Sequence, residues 1–153
     1  MTSARPQSHM TIALDEARAA ARRGEVPVGA VVVGPDGAVL ARAGNRTREL
    51  SDPTAHAEML AIRSAAAVLG SERLIDCDLY VTLEPCPMCA AAISFARIRR
   101  LYFGASDPKS GGVEHGTRIF NAVTCHHAPE VYGGIAETEA GELLRSFFSV
   151  RRA

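Results

Sequence analysis

Apolar residues recur at helical spacing from the tenth position onward: Met10, Ala13, Leu14, Ala17, Ala20 and Ala21 share a face, and Asp15, Glu16, Arg18, Arg22 and Arg23 lie elsewhere. With Gly24 placed to end the turn, this predicts an amphipathic helix. Met1 to His9 is polar and carries Pro6, so residues 1–9 are expected to be a loose, flexible terminus before a single domain over residues 10–153. The period then shortens. Val28 to Val33 is a β-branched run, Gly34-Pro35-Asp36-Gly37 is turn chemistry, and Ala38 to Ala43 resumes an apolar stretch, which together predict a hairpin.

After the polar, irregular stretch Asn45 to Pro53, helical composition returns from Ala55 to Leu69 and Gly70 closes it. Asp52 or Thr54 is the expected N-terminal cap of that helix. Leu79 to Leu83 predicts a buried strand, Pro85 opens a helix to about Arg97, and Leu101 to Gly104 predicts another strand. Ser106 to His127 has no dependable period, whereas Ala140 to Arg152 predicts a closing amphipathic helix. Strands alternating with helices make the class α/β, with helices on both faces of a mixed sheet.

Composition narrows the function. In 153 residues, 47% are hydrophobic and 22% charged, enough to bury a core. Seventeen basic side chains balance seventeen acidic ones, which excludes the strongly basic body of a general nucleic-acid binder. No run of about eighteen apolar residues and no signal-peptide layout appears, so a cytoplasmic location is expected. Four cysteines, at 77, 86, 89 and 125, are too few and too unevenly spaced for a disulfide framework.

Two of those cysteines carry the chemistry. Cys86 and Cys89 lie three apart at a helix start, so both sulfurs can reach one metal, and His56 stands at the start of another helix. One imidazole and two thiolates suit tetrahedral zinc and leave its fourth position to water, the mark of a catalytic site. Glu58 follows His56 by two, about 200° around a regular helix. The pair therefore converges on a metal only if the metal sits off the helix end, with two helix N-termini facing each other. A carboxylate there can move the proton that hydrolytic deamination requires. Each signal alone is weaker: an H-x-E triplet occurs by chance in about one chain in five of this length. A lone C-x-x-C also fits a redox pair or half a zinc ribbon. Cys77 and Cys125 read as small buried hydrophobes, and Cys125-His126-His127 as a packed or loop segment. Arg97, Arg99 and Arg100 read as the solvated end of a helix in preference to a phosphate patch.

The combination H-x-E with P-C-x-x-C is the signature by which zinc deaminases are recognised. Beyond it, Glu25-Val26-Pro27-Val28-Gly29-Ala30, Gly44-Asn45-Arg46, Thr54-Ala55-His56-Ala57-Glu58, Leu79-Tyr80-Val81-Thr82-Leu83-Glu84-Pro85-Cys86 and Phe103-Gly104-Ala105-Ser106-Asp107-Pro108-Lys109-Ser110-Gly111 resemble the bacterial TadA-type tRNA adenosine deaminases. The resemblance runs from about Met10 to Arg152 and includes the closing Phe147-Phe148-Ser149-Val150-Arg151-Arg152. It implies a three-layer α/β/α fold with a mixed five-stranded sheet. It also implies a homodimer, one Zn²⁺ per chain, and conversion of adenosine to inosine at wobble position 34 in the anticodon stem-loop of an arginine tRNA. By the same resemblance His56, Cys86 and Cys89 are the metal ligands and Glu58 the proton shuttle. Asn45 meets the target nucleoside, Val26 and Leu83 line the base pocket, Ala57 joins the substrate-binding set, and Asp107 and Lys109 lie in a loop that meets flanking nucleotides. The alanine-rich stretch from Ala90 to Arg97 is expected at the dimer interface. The stretch from Val113 to Tyr132 departs from the pattern. The competing readings are a free-base or nucleoside deaminase acting on guanine or cytosine, favoured by the neutral charge, and a zinc-stabilised binding module, which would leave Glu58 without a purpose.

Overall fold

A computed structural model describes residues 5–152. Its elements are helix α1 (Arg5–Arg22), strands β1 (Gly29–Val33) and β2 (Val39–Gly44), helix α2 (Ala57–Leu69), strand β3 (Asp78–Leu83), helix α3 (Pro87–Ala96), strands β4 (Arg100–Ala105) and β5 (Glu130–Tyr132), and helix α4 (Glu137–Arg152). The strands form one mixed sheet in the order β2-β1-β3-β4-β5. β1 runs antiparallel to both β2 and β3, whereas β4 is parallel to β3 and to β5.

Alternation along the strands divides the core into two layers. Ala30 and Val32 of β1, with Leu79, Val81, Leu101 and Phe103, pack against Ala57, Ala61 and Ala65 of α2 and Ala90, Ile93 and Ala96 of α3. On the other face Val31, Val33 and Tyr80 meet Met10, Ala13 and Leu14 of α1 and Ala140 of α4. Every residue of β1 is buried, as a strand covered on both sides must be. The result is the three-layer α/β/α arrangement expected.

Three local expectations need correction. α1 begins at Arg5, so positions 5–9 of the expected loose terminus are helical, and positions 1–4 lie outside the described residues. Pro6 is compatible with this because a proline in the first helical turn gives up an amide that no helical carbonyl would receive. The second correction concerns α2, whose N-cap residue is His56 and makes no side-chain cap bond. Asp52 turns instead on its own loop, accepting from the amide and hydroxyl of Thr54 at 2.9 and 2.7 Å. Third, β5 lies between His127, where the stretch without periodicity ends, and the expected closing helix, a place for which the sequence predicts no element. Its three residues are exposed or half-buried on the sheet's edge, so there is no run of alternating burial to read.

Direction explains where a site can form. β3 and β4 end at the same edge because they are parallel, and antiparallel β1 begins there. β2, antiparallel to β1, ends there too. That edge therefore gathers Val26 before β1, Asn45 after β2, Leu83 at the end of β3 and Asp107 after β4.

Candidate active site

Two helices start at this edge, and each is capped by a candidate ligand. His56 is the N-cap residue of α2 and Cys86 that of α3, both extended, with ψ of 153° and 172°. Pro87 follows Cys86 as the first residue of α3, and Cys89 lies one turn in, buried. The Nδ1 of His56 lies 3.6 Å from the Sγ of Cys86 and 3.5 Å from that of Cys89. All three donor atoms lie within 4.8 Å of one another, and no other His, Cys, Asp or Glu group of this kind occurs among the described residues. The facing helix starts required by the H-x-E spacing are thus present.

The electrostatics of the donors fit a cation. The hydrogen bond from the Cys89 thiol and that with His56 pull Cys86 down to about 4, despite burial that opposes ionisation. Cys89 is driven strongly upward, by its bond to Cys86 and by burial, because a second thiolate would stand beside the first and beside Glu58. His56 is raised, chiefly by its bond to Cys86. Two adjacent sulfurs that share one negative charge between them can both ionise when a divalent cation sits among them. The set fits one Zn²⁺ per chain: two soft sulfurs and one imidazole nitrogen, converging from two rigid helix starts whose dipoles favour the thiolates.

Glu58 occupies the second position of α2 and is 4% exposed. Burial pushes its carboxyl up to about 7, against the pull of a backbone hydrogen bond and the His56 charge, and the carboxyl is in hydrogen-bonding contact with the Cys89 thiol. A carboxyl poised there both takes and returns a proton at neutral pH.

Asn45 has a role that its place in a polar loop did not reveal. Its Oδ1 accepts the amide of Ala57 at 2.7 Å, so it supplies across space the cap that His56 does not. Its own main chain is held by an amide bond to the Val28 carbonyl at 3.1 Å and by Arg23 Nη2 on its carbonyl at 3.0 Å. The Nδ2 group has no partner among the described residues, and Asn45 is 8% exposed. Val26 and Leu83 are half-buried at the rim of the core. The methyl of Ala57 lies in the core. Asp107 is half-buried and turns its Oδ1 onto the amides of Lys109 and Ser110 at 3.2 and 3.0 Å, leaving the Lys109 side chain exposed.

Two buried carboxylates escaped the sequence reading. Glu25 accepts the amides of Arg48 (3.2 Å) and Glu49 (2.8 Å) and the Thr47 hydroxyl (3.4 Å), holding the loop after Asn45. Glu84 does the same for the loop after β4, on the amides of Asp107, Val113, Glu114 and His115. The available signal was a carboxylate set in an apolar run beside a strand, which is costly to bury unless the fold satisfies it.

The secondary expectations divide. Cys77 is fully buried, while Cys125 is half-buried, bonded to the His127 carbonyl at 3.1 Å. His127 spends its Nε2 on the Ile98 carbonyl. Arg99 forks onto Asp78 with two 3.1 Å contacts and Arg100 reaches Glu130. Of the adjacent phenylalanines in α4, Phe147 is 7% exposed and Phe148 44%, as one helix face requires, and the Arg151 guanidinium covers the Phe147 ring at 3.4 Å.

Residues 3–105 match the family described as the cytidine and deoxycytidylate deaminase zinc-binding region. The chain is 66% identical over 143 residues to a tRNA-specific adenosine deaminase of Agrobacterium fabrum, covering 94% of this chain and 93% of that protein. A solved structure from work on A-to-I editing by tRNA:A34 deaminases at the wobble position superposes with a TM-score of 0.88. It is 66% identical, and the match covers 90% of this chain and 99% of that one. A guanine deaminase from Nitrosomonas europaea superposes with a TM-score of 0.82 at 25% identity, over 94% of this chain and 85% of that one.

Proposed function

The chain belongs to the zinc-dependent cytidine and deoxycytidylate deaminase family, and from that premise we propose that it hydrolyses adenosine to inosine at position 34 of a tRNA, an arginine tRNA by its TadA-type resemblance. One observation carries the chemistry: His56, Cys86 and Cys89 bring their donor atoms within 4.8 Å at two facing helix starts, and the buried Glu58 carboxyl abuts Cys89. The 66% identity to a tRNA-specific adenosine deaminase carries the substrate.

His56, Cys86 and Cys89 would hold the zinc, which would supply the Lewis acidity that makes water a nucleophile near neutral pH. Glu58 would take one proton from the attacking water and give it to the purine ring nitrogen as the C6–O bond forms, then carry the remaining hydroxyl proton to the exocyclic amine as the C6–N bond breaks and ammonia leaves, transfers its burial suits by keeping its proton affinity near neutrality. Val26 and Leu83 form walls for the base, and the free Nδ2 of Asn45 donates to the nucleoside while Oδ1 keeps α2 in place. Lys109, exposed on its Asp107-ordered turn, meets a flanking phosphate. A chain without net charge must hold RNA by such local cations.

The protein works as a homodimer in the cytoplasm in this proposal. The support is the outward face of α3, where Phe95 is 74% exposed and shares a shallow hollow with Ala91, Ile119 and Ala122. Sedimentation at micromolar concentration should read twice the chain mass, and Phe95→Glu should shift it to the monomer. No helix among the described residues is long and apolar enough to cross a membrane.

The deciding assay offers zinc-loaded protein an anticodon stem-loop with adenosine at position 34, beside free adenosine, guanine and cytosine, and reads deaminated product by mass spectrometry. Inosine in the stem-loop alone is expected. Guanine turnover without stem-loop turnover would favour the second reading, a free-base deaminase, which the likeness to the Nitrosomonas guanine deaminase keeps in view.

A further inference from the structure

Glu84 is the last residue before the Pro85-Cys86 step, and its side chain has no exposure. A carboxylate in that position costs several kcal/mol unless its oxygens are fully engaged. They are, and every partner comes from one loop. Oε1 accepts the amide of Asp107 at 3.0 Å and lies 2.7 Å from His115 Nδ1. Oε2 accepts the amides of Val113, Glu114 and His115 at 3.2, 2.9 and 3.0 Å. Burial would raise this carboxyl, but the Asp107 amide, His115 and the remaining amides outweigh it and hold it below the ordinary value.

The loop thus begins and ends on the same carboxylate. Between those ends it closes on the metal-ligand segment itself, for the Gly112 amide donates to the Pro85 carbonyl at 2.8 Å. A Cβ at Gly111 would overlap Glu84 Oε2, and one at Gly112 would overlap Pro87, so the approach is as close as glycine permits. Lys109 sits on the part of the loop left in solvent, two residues beyond half-buried Asp107, and the amide of Asp107 is the Glu84 tie nearest to it.

We propose that Glu84 is a positioning residue for RNA capture: its carboxylate ties the 107–115 loop to the strand end that carries Cys86, and so sets where Asp107 and Lys109 meet the nucleotides flanking the target adenosine. This rests on the tRNA reading above. Glu84 touches neither base nor metal and acts through the loop. A carboxylate is required because its two oxygens face donors on both sides.

Glu84→Gln tests it. The amide keeps the shape, and with its oxygen toward the three amides of residues 113–115 its nitrogen confronts the Asp107 amide, donor against donor. One tie is cut. In the zinc-loaded full chain, KM for the stem-loop should rise about tenfold while kcat per bound zinc falls far less, the pattern of lost binding. Combining the change with Lys109→Ala should raise KM no further than the worse single variant, because both act through one contact. His115→Ala, which removes one of five contacts, should shift KM in the same direction by less and serves if Glu84→Gln does not fold. Hydrogen exchange at the amides of Asp107, Lys109 and Ser110, measured without substrate, should accelerate in Glu84→Gln. An unchanged KM, additive effects with Lys109→Ala, or zinc loss with a matching fall in kcat would each overturn the proposal. Should the wild-type protein leave the stem-loop untouched, the tRNA reading fails by itself. Exchange at the three amides then still decides whether Glu84 ties the loop, and unchanged rates overturn that too.

Discussion

In the proposed function Asn45 joins stability, metal binding and substrate recognition in one side chain, and its two amide atoms can be removed separately. In Asn45→Ala the Ala57 amide loses its 2.7 Å acceptor at a buried helix start where no other side chain caps it. Leaving such a donor unsatisfied costs about 1–3 kcal/mol. For a chain of this length each kcal/mol moves the melting temperature by about 2–4 °C, so a fall of about 2–12 °C is expected. The damage should extend to the metal. His56 immediately precedes Ala57, and a frayed α2 start moves its Nδ1 relative to sulfurs now 3.5 and 3.6 Å away. Loss of the supporting contact should weaken zinc about 10–100-fold.

Asn45→Asp keeps an oxygen where Oδ1 stands and replaces the Nδ2 donor. It should recover most of the melting temperature and zinc affinity, since a carboxylate at a helix N-terminus is a good cap. It should still fail with RNA, because the donor to the nucleoside is gone. Calorimetry of the zinc-loaded variants, competition with a chromogenic chelator, and stem-loop deamination separate the three outcomes. If Asn45→Ala melts within about 1 °C of wild type and binds zinc as tightly, the remote cap contributes nothing and the reasoning is refuted; about 1 °C corresponds to well under 1 kcal/mol here.

Three further outcomes follow from the same geometry. Protein purified without chelator should contain one zinc per chain by mass spectrometry, and Cys89→Ala should contain almost none and melt lower, because a ligand that binds only the folded state stabilises it; zinc-free wild-type protein would contradict the ligand set. Glu58→Gln should keep its zinc but lose at least about a hundredfold in turnover, and near-normal turnover would remove Glu58 as the proton carrier. Glu25, despite burial that would raise it, is held below its ordinary value of 4.5 by the amides of Glu49 and Arg48. The stability it adds is therefore complete above that value and disappears as pH falls through the lower folded value. The gap in urea midpoint between wild type and Glu25→Gln should be widest near neutrality and close in acid; a gap unchanged down to about pH 3 would show that Glu25 is not ionised in the fold.

Sequence made most of the frame legible because its signals are local. The α1 apolar stripe, the Gly34–Gly37 turn, Gly70 at φ 63°, and the Cys86/Cys89 spacing each depend on a few neighbouring residues. What stayed hidden depends on contacts across the chain. Nothing near Ala57 says that its amide will go to a residue twelve positions earlier. Nothing near Arg48 points to Glu25, or near Val113 to Glu84, although the cost of burying a carboxylate marks both glutamates as needing partners. β5 was invisible for the opposite reason: three edge residues bury too little to leave a pattern.

These distant contacts have a common logic. The ligands stand on helix starts backed by the sheet, so their rigidity comes from packing, but the residues expected to meet RNA stand on two loops that have no core of their own. A loop left to water would pay the full entropy of ordering on each binding event. Here one loop gives two amides and a hydroxyl to Glu25 and the other four amides to Glu84, and each glutamate lies next to a residue of the proposed site, Glu25 beside Val26 and Glu84 just before the Pro85-Cys86 step. Ordering is thus completed on folding, and each loop's place is referred to the element that holds the base or the metal. Lengthening the 107–115 loop at its exposed tip should then be tolerated, while the same insertion directly beside the Glu84 contacts at residues 113–115 should not. Inserting one glycine after Lys109 and, separately, after Gly112 tests this, with stem-loop KM as the measurement. Equal effects at the two points would mean that the glutamate does not set the loop's place.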